Sequence, residues 1–386
     1  MEHFSALEII RRLVAFNTVS ARSNLELIYF IRDYLRNLGI ESRLTFDGAT
    51  NKANLLAAIG PSVPGGIILS GHTDVVPVTG QPWSADPFTV VERGGRLYGR
   101  GTADMKGFIA LTLALVPELM ASRLRVPIYL AFSYDEEVGC LGVGGLLKDL
   151  AAALPRPAAA IVGEPTMMKL INRHKGFLGY TTTVTGRDGH SSGTHRGVNA
   201  VTFAAELIGW LARLADEIRQ QGPFDDSFEP PYTTLNVGSI HGGTALNIIA
   251  RQCSFEWEFR PIPGFDSPTM RRRFDAYVAD RVLPAMRKVA PESDIVTTFI
   301  GGEPALIPEA DSPAEALVRL LTGANSAGAV SFGTEASLFQ ELGIPAVVCG
   351  PGSIEQAHQP DEFIALEQIG ACEAFLRRLL EWTRQP

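Results

Sequence analysis

The chain has 386 residues, a formal net charge of −8, and 46% hydrophobic against 20% charged residues. This composition is typical of a folded globular protein, and the length exceeds that of one ordinary domain, so we expect two domains. The acidic balance argues against nucleic acid as a partner, because neutralising phosphates requires a basic surface.

The cell compartment is predicted from apolar runs and from cysteine usage. No apolar run approaches the roughly 20 residues that span a bilayer, and the first residues lack the basic-then-apolar order of a signal peptide. The cysteines are not spaced as metal-ligand pairs, which is typical of reduced thiols in a cytosol. We therefore expect a cytoplasmic protein without membrane contact. The four cysteines are Cys140, Cys253, Cys349 and Cys372.

The first third of the chain alternates predicted helices and strands. Residues 23–26 (Ser-Asn-Leu-Glu) have the capping-box pattern, and helical spacing continues from there until Gly39. The strand-length segments that follow are mostly apolar throughout, as in strands buried on both faces. This pattern predicts a three-layer α/β domain around a mostly parallel sheet. The predicted strands are 54–59, 67–70, 128–133 and 159–162, and the predicted helices between them are 105–121 and 141–153.

The pattern changes near Gly176 and returns near Pro291. Between these points the strands alternate as if one face were solvated, and with two helices they predict a small α+β domain. The expected catalytic domain is therefore 1–175 and 291–386, with 176–290 inserted. The inserted strands are predicted at 180–185, 233–240 and 253–260 and its long helix at 199–220. Strands at 295–300 and 346–349 and a helix at 366–382 are assigned to the outer domain.

Five polar segments follow predicted strands or begin a predicted helix in the outer domain, where ligands bind in open α/β sheets. Each alone has an ordinary explanation, such as a helix N-cap or a solvated acidic loop. Together they supply imidazoles and carboxylates without cysteine, a ligand set that suits two Zn²⁺ ions, or Co²⁺ or Mn²⁺. The segments are 70–74 (Ser-Gly-His-Thr-Asp), 99–107, 133–137 (Ser-Tyr-Asp-Glu-Glu), 162–166 (Val-Gly-Glu-Pro-Thr) and 358–362 (His-Gln-Pro-Asp-Glu).

These motifs, in this order, resemble those of the M20 family of metallopeptidases and deacylases over nearly the whole chain. The matching stretches are 71–74 (Gly-His-Thr-Asp), 101–107 (Gly-Thr-Ala-Asp-Met-Lys-Gly), 135–137 (Asp-Glu-Glu) and 163–166 (Gly-Glu-Pro-Thr). Three further stretches are similar to the family's deacetylases: 173–176 (Arg-His-Lys-Gly), 333–336 (Gly-Thr-Glu-Ala) and 350–362.

The resemblance implies two metal positions that share Asp104 as a bridging ligand. It also implies that Asp74 orients a ligand imidazole, that Glu136 is the general base, and that the Asp104–Met105 peptide bond is cis. The implied ligands are His72, Asp104 and Glu164 at one metal, and Asp104, Glu137 and His358 at the other.

The segment 176–290 resembles the family's dimerisation or lid domain, which implies a homodimer. In relatives, a histidine matching His190 reaches the partner's active site, and residues matching Asn247 and Arg260 hold the substrate carboxylate. We expect Thr334 and Glu335 on the substrate side, with Glu335 pairing with a substrate ammonium group. Each of these residues also has an ordinary explanation without a functional role. The respective alternatives are a loop histidine (His190), a turn residue (Asn247), a surface cation (Arg260) and a solvated loop acid (Glu335). Residues 249–250 (Ile-Ala) depart from relatives, which often have a proline there.

The expected function is metal-dependent removal of an acetyl group from N2-acetyl-L-ornithine, a step of arginine biosynthesis. Alternatives within the family are an acetylcitrulline deacetylase, a succinyl-diaminopimelate desuccinylase and a peptidase or carboxypeptidase. A non-catalytic homologue is expected to lack a metal ligand, and this chain has the full set. A serine hydrolase is a different class, and we expect no G-x-S-x-G elbow, the turn at a strand end that this class requires.

Overall fold

The computed structural model describes residues 4–384 and divides into two compact units. The first unit comprises the chain up to Arg173, Leu306–Ala329 and the chain from Thr334 onward, and the second comprises His174–Ala305 and Val330–Gly333. The strands are β1 (Ser42–Phe46), β2 (Ala53–Ile59), β3 (Ile67–His72), β4 (Val91–Arg93), β5 (Arg96–Tyr98), β6 (Ile128–Ser133), β7 (Ala159–Pro165), β8 (Ile171–His174), β9 (Phe177–Thr185), β10 (Gly189–His190), β11 (Thr234–Gly242), β12 (Ile248–Ile249), β13 (Gln252–Arg260), β14 (Asp294–Glu303), β15 (Gly328–Val330), β16 (Ala346–Gly350) and β17 (Phe363–Ala365).

The helices carry the labels α1 to α10 in chain order. They are α1 (Ala6–Ala15), α2 (Leu25–Asn37), α3 (Lys106–Met120), α4 (Val143–Ala153), α5 (Ala200–Gln221), α6 (Ser267–Tyr277), α7 (Leu283–Arg287), α8 (Pro313–Thr322), α9 (Ala336–Glu341) and α10 (Leu366–Arg384). A 3-10 helix (Ser191–Arg196) and a π-helical turn (Val278–Val282) complete the set.

The first unit is built on an eight-stranded sheet in the order β1-β2-β6-β3-β7-β16-β8-β15. Its centre is parallel, since β3 pairs in parallel with β6 and β7, and β16 with β7. Strands β3 and β6 are buried at every position, as expected of apolar strands covered on both faces. Helix α3 is apolar on nearly all sides and packs against β3, α1 and α10. These features confirm the predicted α/β class with a mostly parallel sheet.

The second unit contains a four-stranded antiparallel sheet in the order β11-β13-β9-β14. Strand β13 alternates, so that Phe255, Trp257 and Phe259 are buried on one face. These rings and the apolar side of α5 form the core of this unit. A separate ladder pairs the two-residue strands β10 and β12.

Strand β14 lies in a different sheet from the one we predicted. We assigned residues 291–305 to the outer domain, but β14 pairs with β9 from Asp294 to Glu303 and belongs to the second unit. The units therefore separate after Arg173 and after Ala305 rather than after residues 175 and 290. The period of a strand does not reveal its partner, because pairing depends on contacts distant in sequence.

The capping box predicted at the start of α2 does not form. Asn24 is the N-cap and makes no capping bond, because its side chain instead pairs with the backbone of Ala53 and with Thr73 Oγ1. A true capping box occurs at α1, between Ser5 and Glu8. No helix within residues 4–384 combines the length and apolar character needed to cross a membrane.

Candidate metal centre

Three neighbouring parallel strands bring the predicted ligands to one edge of the large sheet. Strand β3 ends at His72, β6 runs into the acidic segment 135–137, and Glu164 lies near the end of β7. Since β6, β3 and β7 are adjacent, their carboxyl ends meet at the same edge, where open α/β sheets bind ligands. Asp104 lies two residues before α3, and its peptide bond to Met105 is cis, as the sequence predicted.

Asp104 lies between two histidines. Its Oδ1 is 3.0 Å from His72 Nε2, and its Oδ2 is 3.4 Å from His358 Nε2. Outside this central trio, Glu164 Oε1 is 3.6 Å from His72 Nε2, and Glu137 Oε2 is 3.0 Å from His358 Nε2. The structure therefore brings all five predicted ligands together, with one Asp104 oxygen facing each imidazole.

Glu136 belongs to the same cluster. It offers a carboxylate oxygen within 4.8 Å of ligand atoms of His72 and Glu164, while His72, Asp104 and Glu137 form a second such group. Glu136 is only partly buried, whereas His72 and Glu164 are buried. Glu136 is therefore the more exposed acid of its group and lies beside the ligand atoms of His72 and Glu164.

The donor set fits divalent cations. Glu164 Oε1 is buried and has no hydrogen-bond partner among the described residues. Burial raises the pKa of Glu137 to about 7, and burial with the nearby Asp104 charge raises the pKa of Glu164 well above its usual range. Carboxylates held together against burial and mutual repulsion are stabilised by positive charge between them. Two imidazoles and these oxygens suit Zn²⁺, Co²⁺ or Mn²⁺.

The imidazoles respond to the same charges in the opposite sense. Burial opposes charging of His72, but Glu164, Asp104 and Asp74 outweigh it and raise its pKa well above the usual range. Hydrogen bonds to Asp104 and Glu137 raise the pKa of His358 to about 10. Burial opposes charging of Asp104 as well, but bonds to both histidines lower its pKa. The carboxylates and imidazoles of the cluster therefore shift one another's pKa, and the carboxylates are stabilised by nearby positive charge.

Asp74 has a broader set of contacts than the one we predicted. The nearest group to His72 Nδ1 is the Asp74 main-chain oxygen at 3.0 Å, with the carboxylate at 3.6 Å. The carboxylate accepts bonds from Ser20 Oγ at 2.7 Å and from the backbone N–H groups of Glu136 and Glu137 at 3.2 and 3.3 Å. Asp74 therefore holds the acidic loop as well as the ligand imidazole.

Lys52 contacts the acidic loop of the site and was not predicted from the sequence. Its ammonium donates to Asp135 Oδ1 and to the main-chain oxygen of Ser20, each at 2.5 Å. Asp135 has a left-handed backbone with φ of 59°, so this ion pair fixes the turn that presents the two following glutamates. Lys52 lies 83 residues from Asp135, and no local pattern marks it.

Thr334 and Glu335 are buried rather than exposed on a loop surface. Thr334 is fully buried and Glu335 is 1% exposed, near Ser133 and Ser70 beneath the ends of β6 and β3. Burial raises the pKa of Glu335 to about 7. The contact of these residues with the substrate, and the pairing of Glu335 with a substrate ammonium group, stay predictions.

Among the predicted residues of the second unit, His190 and Asn247 are exposed and Arg260 is partly buried. His190 pairs with Ile248 across the β10–β12 ladder, and the backbone N–H of Ser191 donates to the Asn247 main-chain oxygen at 3.1 Å. The structure therefore brings His190 and Asn247 together. Arg260, at the end of β13, forms a two-pronged pair with Glu258, at 3.1 and 3.4 Å.

The residues around His190 also satisfy the G-x-S-x-G spacing of serine hydrolases. Residues 189–193 read Gly-His-Ser-Ser-Gly, which puts Ser191 at the nucleophile position, whereas the hydroxyl that lies 2.8 Å from His190 Nδ1 belongs to Ser192. A nucleophile elbow is a sharp turn from a buried sheet strand into a helix. Here the segment is an exposed two-residue strand followed by a 3-10 helix. Residues 189–193 therefore have the residue spacing of a nucleophile elbow but not its structure.

Comparison with known proteins places this fold and site in one class. The family described as peptidase family M20/M25/M40 matches residues 68–382, and the chain belongs to that family of hydrolases. Acetylornithine deacetylase of Pasteurella multocida is 35% identical over 385 residues, covering 97% of each chain. Acetylornithine deacetylase of Photorhabdus laumondii is 35% identical over 382 residues, covering 97% of this chain and 96% of its own.

Solved structures agree with the fold. An M20 family metallo-carboxypeptidase from Sulfolobus solfataricus has a TM-score of 0.77 at 18% identity, with 99% of each chain covered. Human carnosine dipeptidase 1 has a TM-score of 0.74 at 18% identity, covering 98% of this chain and 97% of its own. At such identities the likeness concerns the fold.

Proposed function

We propose that the protein removes the acetyl group from N2-acetyl-L-ornithine, giving ornithine and acetate. The observation that carries the hydrolytic chemistry is the position of Asp104, which offers one oxygen to His72 and the other to His358 beside Glu136. The substrate is supported by the name shared by two relatives at 35% identity over nearly the whole chain.

The proposed metal ligands are the five residues of the buried cluster. Two divalent ions in such a site supply a lowered pKa of water and polarisation of the amide carbonyl. The chain's own residues would hold the ions, with Asp104 common to both ligand sets. The proposed ligands are His72 and Glu164 on one side of Asp104, and Glu137 and His358 on the other.

Glu136 is the proposed general base. It takes a proton from the attacking water and passes that proton to the leaving amine. A carboxylate that has accepted a proton as a base can donate it as an acid in the next step. The Asp74 carboxylate supports this role by binding the Glu136 backbone N–H. His190 is proposed to stabilise the oxyanion, a contribution that is worth about 3–4 kcal/mol per donor in studied enzymes.

Arg260 and Asn247 are the proposed contacts of the substrate's α-carboxylate. A guanidinium binds a carboxylate through two parallel hydrogen bonds, and Arg260 already makes such a pair with Glu258. A substrate carboxylate would replace Glu258 as the partner. The geometry of the Arg260 pair supports a role in binding a carboxylate. Glu258 would compete with the substrate carboxylate for the same guanidinium.

Homodimerisation through the second unit is a further part of the proposal. Apolar side chains are exposed on its strands and on the segment beside Asn247, and Leu246 is fully exposed. Exposed apolar side chains of this kind mark association surfaces. Sedimentation of the purified protein tests this, because a single monomeric species at micromolar concentration contradicts it. The other exposed side chains are Ile240, Ile248, Val296, Phe299 and Ile300.

The assay that tests the substrate follows amine release by the metal-reconstituted protein. Acetylornithine is compared with acetylcitrulline, acetyl-methionine, succinyl-diaminopimelate and several dipeptides, each with and without chelator. We expect chelator-sensitive turnover with acetylornithine leading by at least about 10-fold in kcat/KM, which is about 1.4 kcal/mol of transition-state preference. A different leading substrate keeps the hydrolytic mechanism and refutes the ornithine assignment.

A further inference from the structure

A buried carboxylate that the proposed chemistry leaves unused binds the loop carrying Asp104. Glu362 is fully buried, and its Oε1 accepts the backbone N–H groups of Gly101, Ala103 and Asp104 at 3.0, 2.9 and 3.1 Å. Its own backbone oxygen accepts the N–H of Gly99 at 2.9 Å. Glu362 therefore binds four backbone N–H groups between Gly99 and Asp104, three of them through its side chain.

Arg100 balances this carboxylate and extends the contact. Its Nη1 donates to Glu362 Oε2 at 2.8 Å, and both side chains are 1% exposed or less. Its Nη2 donates to Gln81 Oε1 at 2.6 Å. A buried, hydrogen-bonded ion pair of this kind favours one fixed arrangement of its partners.

Gln81 carries the contact to the other ligand loop. Its Nε2 donates to the main-chain oxygen of His358 at 2.8 Å, and its Oε1 also accepts from Trp83 Nε1 at 3.1 Å. His358 has a left-handed backbone, with φ of 62°, and its side chain is half exposed. The hydrogen bond from Gln81 therefore holds the backbone of a residue whose side chain is only partly packed.

We propose that Glu362, Arg100 and Gln81 form one brace that sets the position of Asp104 relative to His358. The two ligands lie 254 residues apart in sequence, and the brace joins their main chains through three consecutive side-chain contacts. These are positioning residues, since none of them belongs to the ligand cluster. The inference rests on the proposed metal centre and adds the determinants of its affinity.

The two ends of the brace contact different kinds of proposed ligand. Gln81 acts on His358, which is a proposed ligand of one ion only, whereas Glu362 acts on Asp104, which is shared by both. Residues that orient metal ligands typically change metal affinity by about 10- to 100-fold when altered. Gln81→Met, which keeps the size and removes both polar groups, should therefore weaken one metal equivalent. Glu362→Gln should weaken both.

The experiment is a calorimetric titration of Zn²⁺ into metal-free protein. Wild type is compared with Gln81→Met, Glu362→Gln and the control Glu355→Gln, which changes the same charge at an exposed position of the same loop. We expect two equivalents in wild type and in the control, one of them weakened at least about 10-fold by Gln81→Met. Glu362→Gln should weaken the binding of both Zn²⁺ equivalents. If Glu362→Gln does not fold, the result for Gln81→Met decides the test.

Two outcomes overturn the brace. One is a Gln81→Met isotherm that superimposes on the control. The other is a lower melting temperature of the metal-free Gln81→Met protein with unchanged affinities, because that result shows a role in folding alone. Wild-type protein that binds no Zn²⁺ overturns the proposed metal centre instead, so the two failures are distinguishable.

Discussion

The buried carboxyl of Glu335 makes the stability of the metal-free protein depend on pH in a way that one substitution removes. The side chain is 1% exposed, and its Oε1 has no hydrogen-bond partner among the described residues. Burial raises its pKa from 4.5 to about 7, although the nearby Ser133 and His72 favour the charged form. Glu335→Gln keeps the shape of the side chain and removes its ionisation.

The magnitude follows from the two pKa values. In the folded protein the carboxyl stays protonated up to about pH 7, whereas in the unfolded chain it ionises near 4.5. The stability that this group contributes is therefore complete below pH 4.5 and is lost as pH rises through 7. The difference corresponds to about 3–4 kcal/mol, since one pKa unit is worth about 1.4 kcal/mol. Glu335→Gln does not lose this stability as pH rises, because its amide does not ionise.

The assay is urea unfolding of metal-free wild type and Glu335→Gln at pH 5 and pH 8. The free energy of unfolding of the variant, relative to wild type, should rise by about 2–3 kcal/mol between these pH values. Other groups cancel in this difference because both proteins share them. Glu355→Gln, at an exposed position, should show no such rise. A difference for Glu335→Gln that is the same at both pH values refutes the account of this carboxyl.

Three further predictions concern turnover. Lys52→Met should lower kcat by about 10-fold with little change in KM, because it frees Asp135 and the loop that carries Glu136; steady-state kinetics beside an exposed control, Lys148→Met, measures this, and an unchanged kcat contradicts it. Arg260→Ala should raise KM for acetylornithine by about 10- to 100-fold, the value of a charged hydrogen bond, and an unchanged KM removes Arg260 from the substrate site. Chelation should abolish turnover and Zn²⁺ should restore it, whereas full activity in metal-free protein contradicts the metal centre.

Residues that share a motif were predictable, because local sequence carries them. His72, Asp104 and Glu164 each follow an apolar strand or precede a helix, and the parallel order of the strands brings them together. The cis peptide after Asp104 was likewise expected from the motif. Period and motif therefore indicated where these strands end, and the family resemblance indicated which of their side chains lie together.

Contacts between distant segments were not predictable from one sequence. The pair of Lys52 with Asp135 and the bonds from Glu362 to the Asp104 loop join residues 83 and 258 positions apart. Strand β14 has strand character but no local mark of its partner β9. Glu335 looked like a loop acid, and only the packing around it shows that it is buried. In each case the partner is chosen by tertiary packing rather than by local propensity.

The central claim is that Glu136 moves the proton while other residues hold the metals. The most direct test measures bound metal and acetylornithine turnover on the same preparations of wild type and Glu136→Ala. The account predicts two metal ions per chain in both proteins and loss of turnover in the variant alone. Turnover that survives in Glu136→Ala contradicts the account, and loss of a metal ion together with turnover shows that Glu136 is a ligand instead.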